Sequence, residues 1–225
     1  MTAEEQYRKI AANVAELAAG AGRDPGEVHV VAVSKSHPRE AVDEVYLAGC
    51  RDFGENRMQE ALPKMEGSPS DLRWHFIGNL QTKKVPKIIG RFHLIHSVDS
   101  PKLARKISDS GEREGVVSNI LLEVNTSGEE SKHGLSPEKW QAEFEGVIAL
   151  PGIAVKGLMT MAPLTEDEGI IRGCFSRLRE FRDSLQSSYS LALPHLSMGM
   201  TNDYPIAIEE GATLLRIGTA IFAWH

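Results

Sequence analysis

Apolar positions along this chain switch repeatedly between a helical period and short continuous runs. Tyr7, Ile10, Val14 and Leu17 share one helical face that ends at Gly20 and Gly22. Val28-His29-Val30-Val31-Ala32-Val33-Ser34 follows, an apolar, β-branched run of the kind found in strands buried on both faces. Pro38 opens a helix from about His37 to Ala48. Further strands are predicted at Arg51-Asp52-Phe53-Gly54, Trp74-His75-Phe76-Ile77, His93-Leu94-Ile95-His96 and Ser118-Asn119-Ile120-Leu121-Leu122-Glu123-Val124. The last three are Ile153 to Gly157, Pro194-His195-Leu196-Ser197 and Thr213-Leu214-Leu215-Arg216.

Helix signals fill the intervals. Residues from Thr82 to Ile89 read as a helix interrupted by Pro86, and Ser100-Pro101 and Ser136-Pro137 supply a serine cap with proline at the first helical position. Thr165-Glu166-Asp167-Glu168 has the capping-box pattern before Ile171, Phe175, Leu178, Phe181 and Leu185. A short helix from Tyr204 to Glu210 precedes the eighth strand, and Gly218 opens a final helical turn. Eight strands alternating with helices predict an α/β protein: a single (β/α)8 TIM-type barrel domain over residues 1–225 with an extra N-terminal helix.

A barrel gathers the residues just beyond each strand on one rim. That rim collects Lys35, Glu55-Asn56, Gly78-Asn79, Ser97, Asn125, Met159-Thr160, Ser197-Met198-Gly199-Met200-Thr201 and Arg216-Ile217-Gly218-Thr219. Lys35 ends a buried strand, where a desolvated lysine has a lowered amine pKa and can form a Schiff base with an aldehyde. The structural alternative is that Lys35 pairs with Glu55 and closes the rim. The loops after strands seven and eight are where such barrels often hold a phosphate. Gly199 and Gly218 admit close backbone approach, and the Gly218 amides with the hydroxyls of Thr219 and Ser197 would supply donors. Read separately, these are ordinary turns. An amine and an anion grip together suggest a ligand with an aldehyde at one end and a phosphate at the other, such as pyridoxal 5'-phosphate. Arg216 would then face the pyridine nitrogen, with Asn56 near the opposite edge of the ring. An arginine there leaves the ring unprotonated and disfavours carbanion chemistry. The alternative for Arg216 is a salt bridge to a neighbouring carboxylate.

Composition narrows the class further. The 225 residues are 41% hydrophobic and 25% charged, enough for a full core, and the net charge of −6 leaves no basic stripe for nucleic acid or anionic lipid. Cys50 and Cys174 lie far apart, as buried free thiols of a reducing compartment would. No run approaches the roughly 18 apolar residues of a membrane span, and no leader pattern is present, so a cytoplasmic protein is expected and the Asn125-Thr126-Ser127 sequon has no route to a glycan. The eight histidines contain no tight ligand pair, and His93 and His96, three apart on a strand, are expected to face opposite sides, which argues against a metal site. Tyr204, beside Pro205, is read as packing, and His133 as part of a polar cover loop.

Val31-Ala32-Val33-Ser34-Lys35, Phe53-Gly54-Glu55-Asn56-Arg57-Met58-Gln59-Glu60, Trp74-His75-Phe76-Ile77-Gly78 with Leu80-Gln81, Gly157-Leu158-Met159, Leu196-Ser197-Met198-Gly199-Met200 and Arg216-Ile217-Gly218-Thr219-Ala220-Ile221-Phe222 resemble, in order and spacing, the pyridoxal phosphate homeostasis protein family. The resemblance spans about Val28 to Phe222. It implies a barrel like the N-terminal domain of alanine racemase, Lys35 as the aldimine lysine, phosphate contacts at Ser197, Gly218 and Thr219, and Arg216 at the pyridine nitrogen. The cofactor-binding set expected is Lys35, Asn56, Ser197, Gly199, Met200, Arg216, Gly218 and Thr219. Asn79, where many members carry proline or histidine, and Ala223, where glycine is usual, depart from the pattern.

The resemblance implies a carrier or regulator of vitamin B6 and of amino and keto acids without a reaction of its own, with PLP-dependent apo-enzymes as candidate partners, and burial within the barrel predicts a monomer. A PLP-dependent amino-acid racemase is the alternative, although racemisation needs bases on both faces of the α-carbon and alanine racemase takes one from a second domain. A Schiff-base aldolase of a sugar phosphate is the third, with its lysine usually on a later strand.

Overall fold

The computed structural model describes residues 1–129 and 133–222. Eight parallel strands, β1 (His29–Val33), β2 (Asp52–Glu55), β3 (Arg73–Phe76), β4 (Leu94–Val98), β5 (Ser118–Glu123), β6 (Ile153–Met159), β7 (His195–Ser197) and β8 (Leu214–Ile217), close in chain order into a barrel. β1 pairs with both β2, Val31 opposite Asp52, and β8, Ala32 opposite Ile217, so no strand edge is left open. The helices are α1 (Ala3–Gly20), α2 (Arg39–Leu47), α3 (Met58–Met65), α4 (Pro101–Glu114), α5 (Pro137–Ile148), α6 (Glu168–Tyr189), α7 (Tyr204–Glu209) and α8 (Thr219–Phe222).

The continuous apolar runs follow from this arrangement. Val31, Leu94, Leu121, Met159 and Leu214 form a cluster inside the barrel, while Val30, Ala32, Phe53, Ile120 and Leu158 join the larger core between strands and helices with Trp140, Phe144 and Phe175. α1 packs against α2, α7 and α8; its Asn13 donates to the Tyr204 hydroxyl at 2.6 Å, which assigns Tyr204 to packing. Cys50 and Cys174 are buried free thiols. Among the described residues no helix is long and apolar enough to cross a membrane.

Local chemistry sets the remaining differences from expectation. Ser100 and Ser136 cap α4 and α5 as expected, but α6 is capped by Asp167, whose Oδ1 accepts from the amides of Gly169 and Ile170, and not by Thr165. Thr82–Lys87 is a 3-10 helix, because Pro86 lacks the N–H that an α-helical bond would need. α3 has no counterpart among the expected helices: Pro63 interrupts it, and one position of its buried face, beside Met58 and Ala61, is the charged Lys64. β6 continues past Gly157 to Met159 through a register shift against β5.

Gly157 takes φ +152°, and a Cβ there would fall 1.9 Å from the His195 carbonyl oxygen of β7. This contact sets how β7 lies against the end of β6. Gly157→Ala is expected to lower the unfolding free energy by about 3 kcal/mol, the scale of combined backbone strain and overpacking, as measured by urea denaturation.

Candidate functional site

The expected residues gather on four consecutive strands of the ring, β7, β8, β1 and β2. Lys35 lies in the turn just after β1, exposed rather than desolvated, so the expectation of a buried strand-end amine is corrected. The alternative pairing with Glu55 is also overturned, since Glu55 belongs to a different lysine. Lys64 of α3, 8% exposed, donates to Glu55 Oε1 at 2.6 Å and to the Ser34 carbonyl at 2.8 Å. The Ser34 hydroxyl donates to the same carboxylate oxygen at 2.7 Å.

Two further contacts fix the turn that presents Lys35. The Ser36 amide donates to Glu60 Oε2 at 3.1 Å, with Ser36 itself in the left-handed region at φ 64°. The His37 ring stacks on Phe222 of α8 with centroids 5.1 Å apart. Burial and the Lys64 ammonium, opposed by Glu55, hold the His37 pKa below its ordinary value. Glu55 and Glu60 of the Phe53–Glu60 motif thus clamp the Lys35 turn from the side of β2 and α3.

Arg216, on β8, points into the barrel and is 6% exposed. Its Nη1 donates to the Ser197 hydroxyl and its Nη2 to the Thr160 carbonyl at 2.9 Å, so the salt-bridge alternative gives way to neutral acceptors. Burial pushes its pKa down to about 10 against the opposing pull of Asp203 and Glu123. Nε and one N–H of each terminal nitrogen have no partner among the described residues.

Ser197 also lies elsewhere than expected. Its register opposite Leu214 sets it one layer below Arg216, and its hydroxyl, wholly buried, is taken up by Arg216 and His96 Nδ1. It supports the arginine from beneath instead of facing the rim as a phosphate donor.

Gly218 and Thr219 do reach the rim. Gly218 sits against Val33, two residues before Lys35, and Thr219 is exposed at the start of α8. Gly199, at φ +93°, accepts from the Arg216 amide at 2.9 Å, and a Cβ there would fall 2.6 Å from Cβ of Ala207 in α7. Met200 is exposed, but its amide already donates to Asp203 Oδ1. Asn56, half-buried, follows Glu55 at the end of β2, and Asn79 is exposed. Ala223 lies outside the described residues, as do 130–132 of the loop that carries His133.

Sequence reasoning places Thr160 on the rim but misses the residues behind it: Glu123, His96, His75 and Asp52. Alternation along β5 from Leu121 pointed inward to Glu123. Contrary to expectation, His93 and His96 both lie against the ring of His75, with centroids 5.6 and 5.1 Å away, because β4 begins only at Leu94 and strand alternation does not extend back to His93. Among the described residues no group of three or more His, Cys, Asp or Glu is placed to hold a metal ion.

Comparison with known proteins shows the family and the fold. Residues 6–224 match the alanine racemase N-terminal domain family. The pyridoxal phosphate homeostasis protein of Aquifex aeolicus is 44% identical over 223 residues, covering 99% of this chain and 98% of that protein. The chain belongs to this family. Another member, from Pseudomonas aeruginosa, is 45% identical, covering 98% and 95%. The structure of PipY from Synechococcus elongatus with PLP bound, 38% identical, superposes with a TM-score of 0.82 over 93% of this chain and all of that one. A protein from Bifidobacterium adolescentis, 36% identical, gives 0.93 over 98% and 94%. Alanine racemase from Corynebacterium glutamicum, 15% identical, shares the fold at 0.77 over 99% of this chain and 62% of its own. The homeostasis family therefore takes in nearly the whole of this chain.

Glu123 ends β5 buried near Arg216 and His133, and burial with the nearby Asp99 pushes its carboxyl up to about 7. A folded pKa raised above the unfolded one means that the folded state binds the proton more tightly, so the contribution of Glu123 to stability is fully present below about pH 4.5 and is lost as pH rises toward 7. Glu123→Gln is expected to flatten this decline and to be more stable than wild type at pH 8 by a few kcal/mol at most, read from urea midpoints at pH 5 and 8.

Proposed function

We propose that this chain binds pyridoxal 5'-phosphate at the rim formed by β7, β8, β1 and β2 and serves the intracellular homeostasis of vitamin B6 and of amino and keto acids. The carrying observation is the set of N–H groups of the buried Arg216, Nε and one on each terminal nitrogen, that have no partner among the described residues, one strand from Lys35 and two residues before Gly218. An arginine donating to an unprotonated ring nitrogen, a phosphate at the Gly218 and Thr219 amides, and an accessible amine at Lys35 fit the three polar ends of that molecule. Asn56 and the loop of Gly199 and Met200 flank it. Bound, the cofactor supplies an aldehyde that a lysine amine can take up covalently. Ser197 serves by holding the guanidinium.

Binding without turnover is the reading favoured over a racemase. An arginine at the ring nitrogen does not give up a proton readily, which weakens the cofactor as an electron sink. The protein acts in this reading as one monomeric domain of the cytoplasm that supplies PLP to PLP-dependent apo-enzymes. The name of the relatives and the PLP-bound structure of PipY support the ligand.

Purified protein mixed with PLP should turn yellow, and borohydride should then fix the added mass on the peptide containing Lys35. Lys35→Ala should abolish the fixed adduct. Arg216→Met should weaken PLP binding by tenfold or more, the scale of one hydrogen bond to a charged group. Labelling at another lysine would overturn the assignment of Lys35. Turnover of amino-acid enantiomers by wild type but not Lys35→Ala would favour the racemase.

A further inference from the structure

Five side chains of the barrel interior form one unbroken hydrogen-bonded line. At the start of β2, Asp52 receives Arg73 Nε and Nη2, each at 2.6 Å. Its Oδ1 lies 2.9 Å from His75 Nε2 on β3, and His75 Nδ1 lies 2.9 Å from His96 Nε2 on β4. His96 Nδ1 then reaches across the lumen to the Ser197 hydroxyl on β7 at 2.8 Å, and Ser197 meets Arg216 on β8. The line thus climbs from the N-terminal end of the barrel to the mouth.

The donors of this line have one self-consistent direction. A guanidinium only donates, so the Ser197 oxygen accepts from Arg216 and the serine proton goes to His96 Nδ1. His96 must then carry its proton on Nε2 and give it to His75 Nδ1. His75, in turn, carries its proton on Nε2 and gives it to Asp52. The opposite direction fails at Ser197, whose proton would have no acceptor in a fully buried site. Burial, helped by His75 and Arg216, keeps His96 uncharged, and the bonds from Arg73 and His75 outweigh burial to keep Asp52 ionised.

We propose that Asp52, His75, His96 and Ser197 are positioning residues for Arg216: their fixed donor direction locks the guanidinium so that its free N–H groups meet the ring nitrogen of the bound cofactor. This rests on the reading of Arg216 given above. The Arg73–Asp52 pair at the far end of the barrel is then the anchor of a contact made at the mouth, four hydrogen bonds away.

Two measurements test it. In wild-type protein free of cofactor and labelled with 15N-histidine, NMR should find both His75 and His96 neutral with the proton on Nε2. A proton on Nδ1 of either ring, or a charged ring, would overturn the line. The second measurement compares the affinity for PLP with that for its analogue bearing CH in place of the ring nitrogen. Wild type should prefer PLP, Ser197→Ala and His96→Leu should each reduce that preference about tenfold, and His96→Gln, which keeps one donor and one acceptor, should restore most of it. A preference unchanged in Ser197→Ala and His96→Leu would refute the positioning role. No preference in wild type would instead refute the reading of Arg216 itself, a result distinct from failure of the line in the cofactor-free spectrum.

Discussion

A guanidinium inside a closed barrel needs acceptors for the N–H groups it turns to the interior, and the interior of this protein is organised around that demand. Arg216 takes the Thr160 carbonyl and the Ser197 hydroxyl, and each acceptor must itself be satisfied. Thr160 is tied down by its own hydroxyl, which donates to the Val124 carbonyl at 2.8 Å and shares a bond with Thr126. Ser197 needs His96, His96 needs His75, and His75 needs a carboxylate. Barrel interiors are usually filled by layers of branched aliphatic residues. Here Val31, Leu94, Leu121, Met159 and Leu214 fill one part, and a polar line replaces the rest. Its termination in Asp52 and Arg73, near the surface, avoids burying an unpaired charge.

The amine is handled in the opposite way. Lys35 is exposed, while the lysine that is buried, Lys64, has a structural role, because it neutralises Glu55 and holds the Ser34 carbonyl immediately before Lys35. One charge is removed from water so that its neighbour can stand at a defined place in water. Removing Lys64 alone would strand the Glu55 carboxylate, whose Oε2 has no partner as it is. The clamp therefore couples α3 to the position of the amine.

Much of this is legible in the residues. Parallel strands covered on both faces leave uninterrupted apolar runs, which is why Val28–Ser34 and Ser118–Val124 locate two of the barrel strands, and the glycines at 199 and 218 mark the two turns that approach the rim. What escapes is set by register and tertiary contact. Ser197 lies in a motif that reads as turn chemistry, yet its pairing with Leu214 sinks it one layer below the rim. Lys35 follows a buried strand, yet the left-handed Ser36 turns the chain outward there. α3 is hidden because Lys64 occupies a core-facing position for a reason, Glu55, that lies nine residues away in sequence and only folding reveals.

Closure of the barrel and assembly of the site are one event. β1 and β8 are the first and last strands, and only their pairing, from His29 against Leu214 to Ala32 against Ile217, sets Val33, two residues before Lys35, against Gly218. The stacking of His37 on Phe222 ties the same two chain ends together above the strands. An open sheet of the same eight strands would keep every motif intact and still separate Lys35 from Gly218 and Thr219 by the whole width of the sheet. A ligand that spans Lys35 and Gly218 therefore binds only the closed form, and by mass action it adds its binding free energy to the seam between β1 and β8. The polar line reinforces the same closure from within, because its bond from β4 to β7 crosses the lumen and its last link, from β7 to β8, ends on the strand that completes the ring.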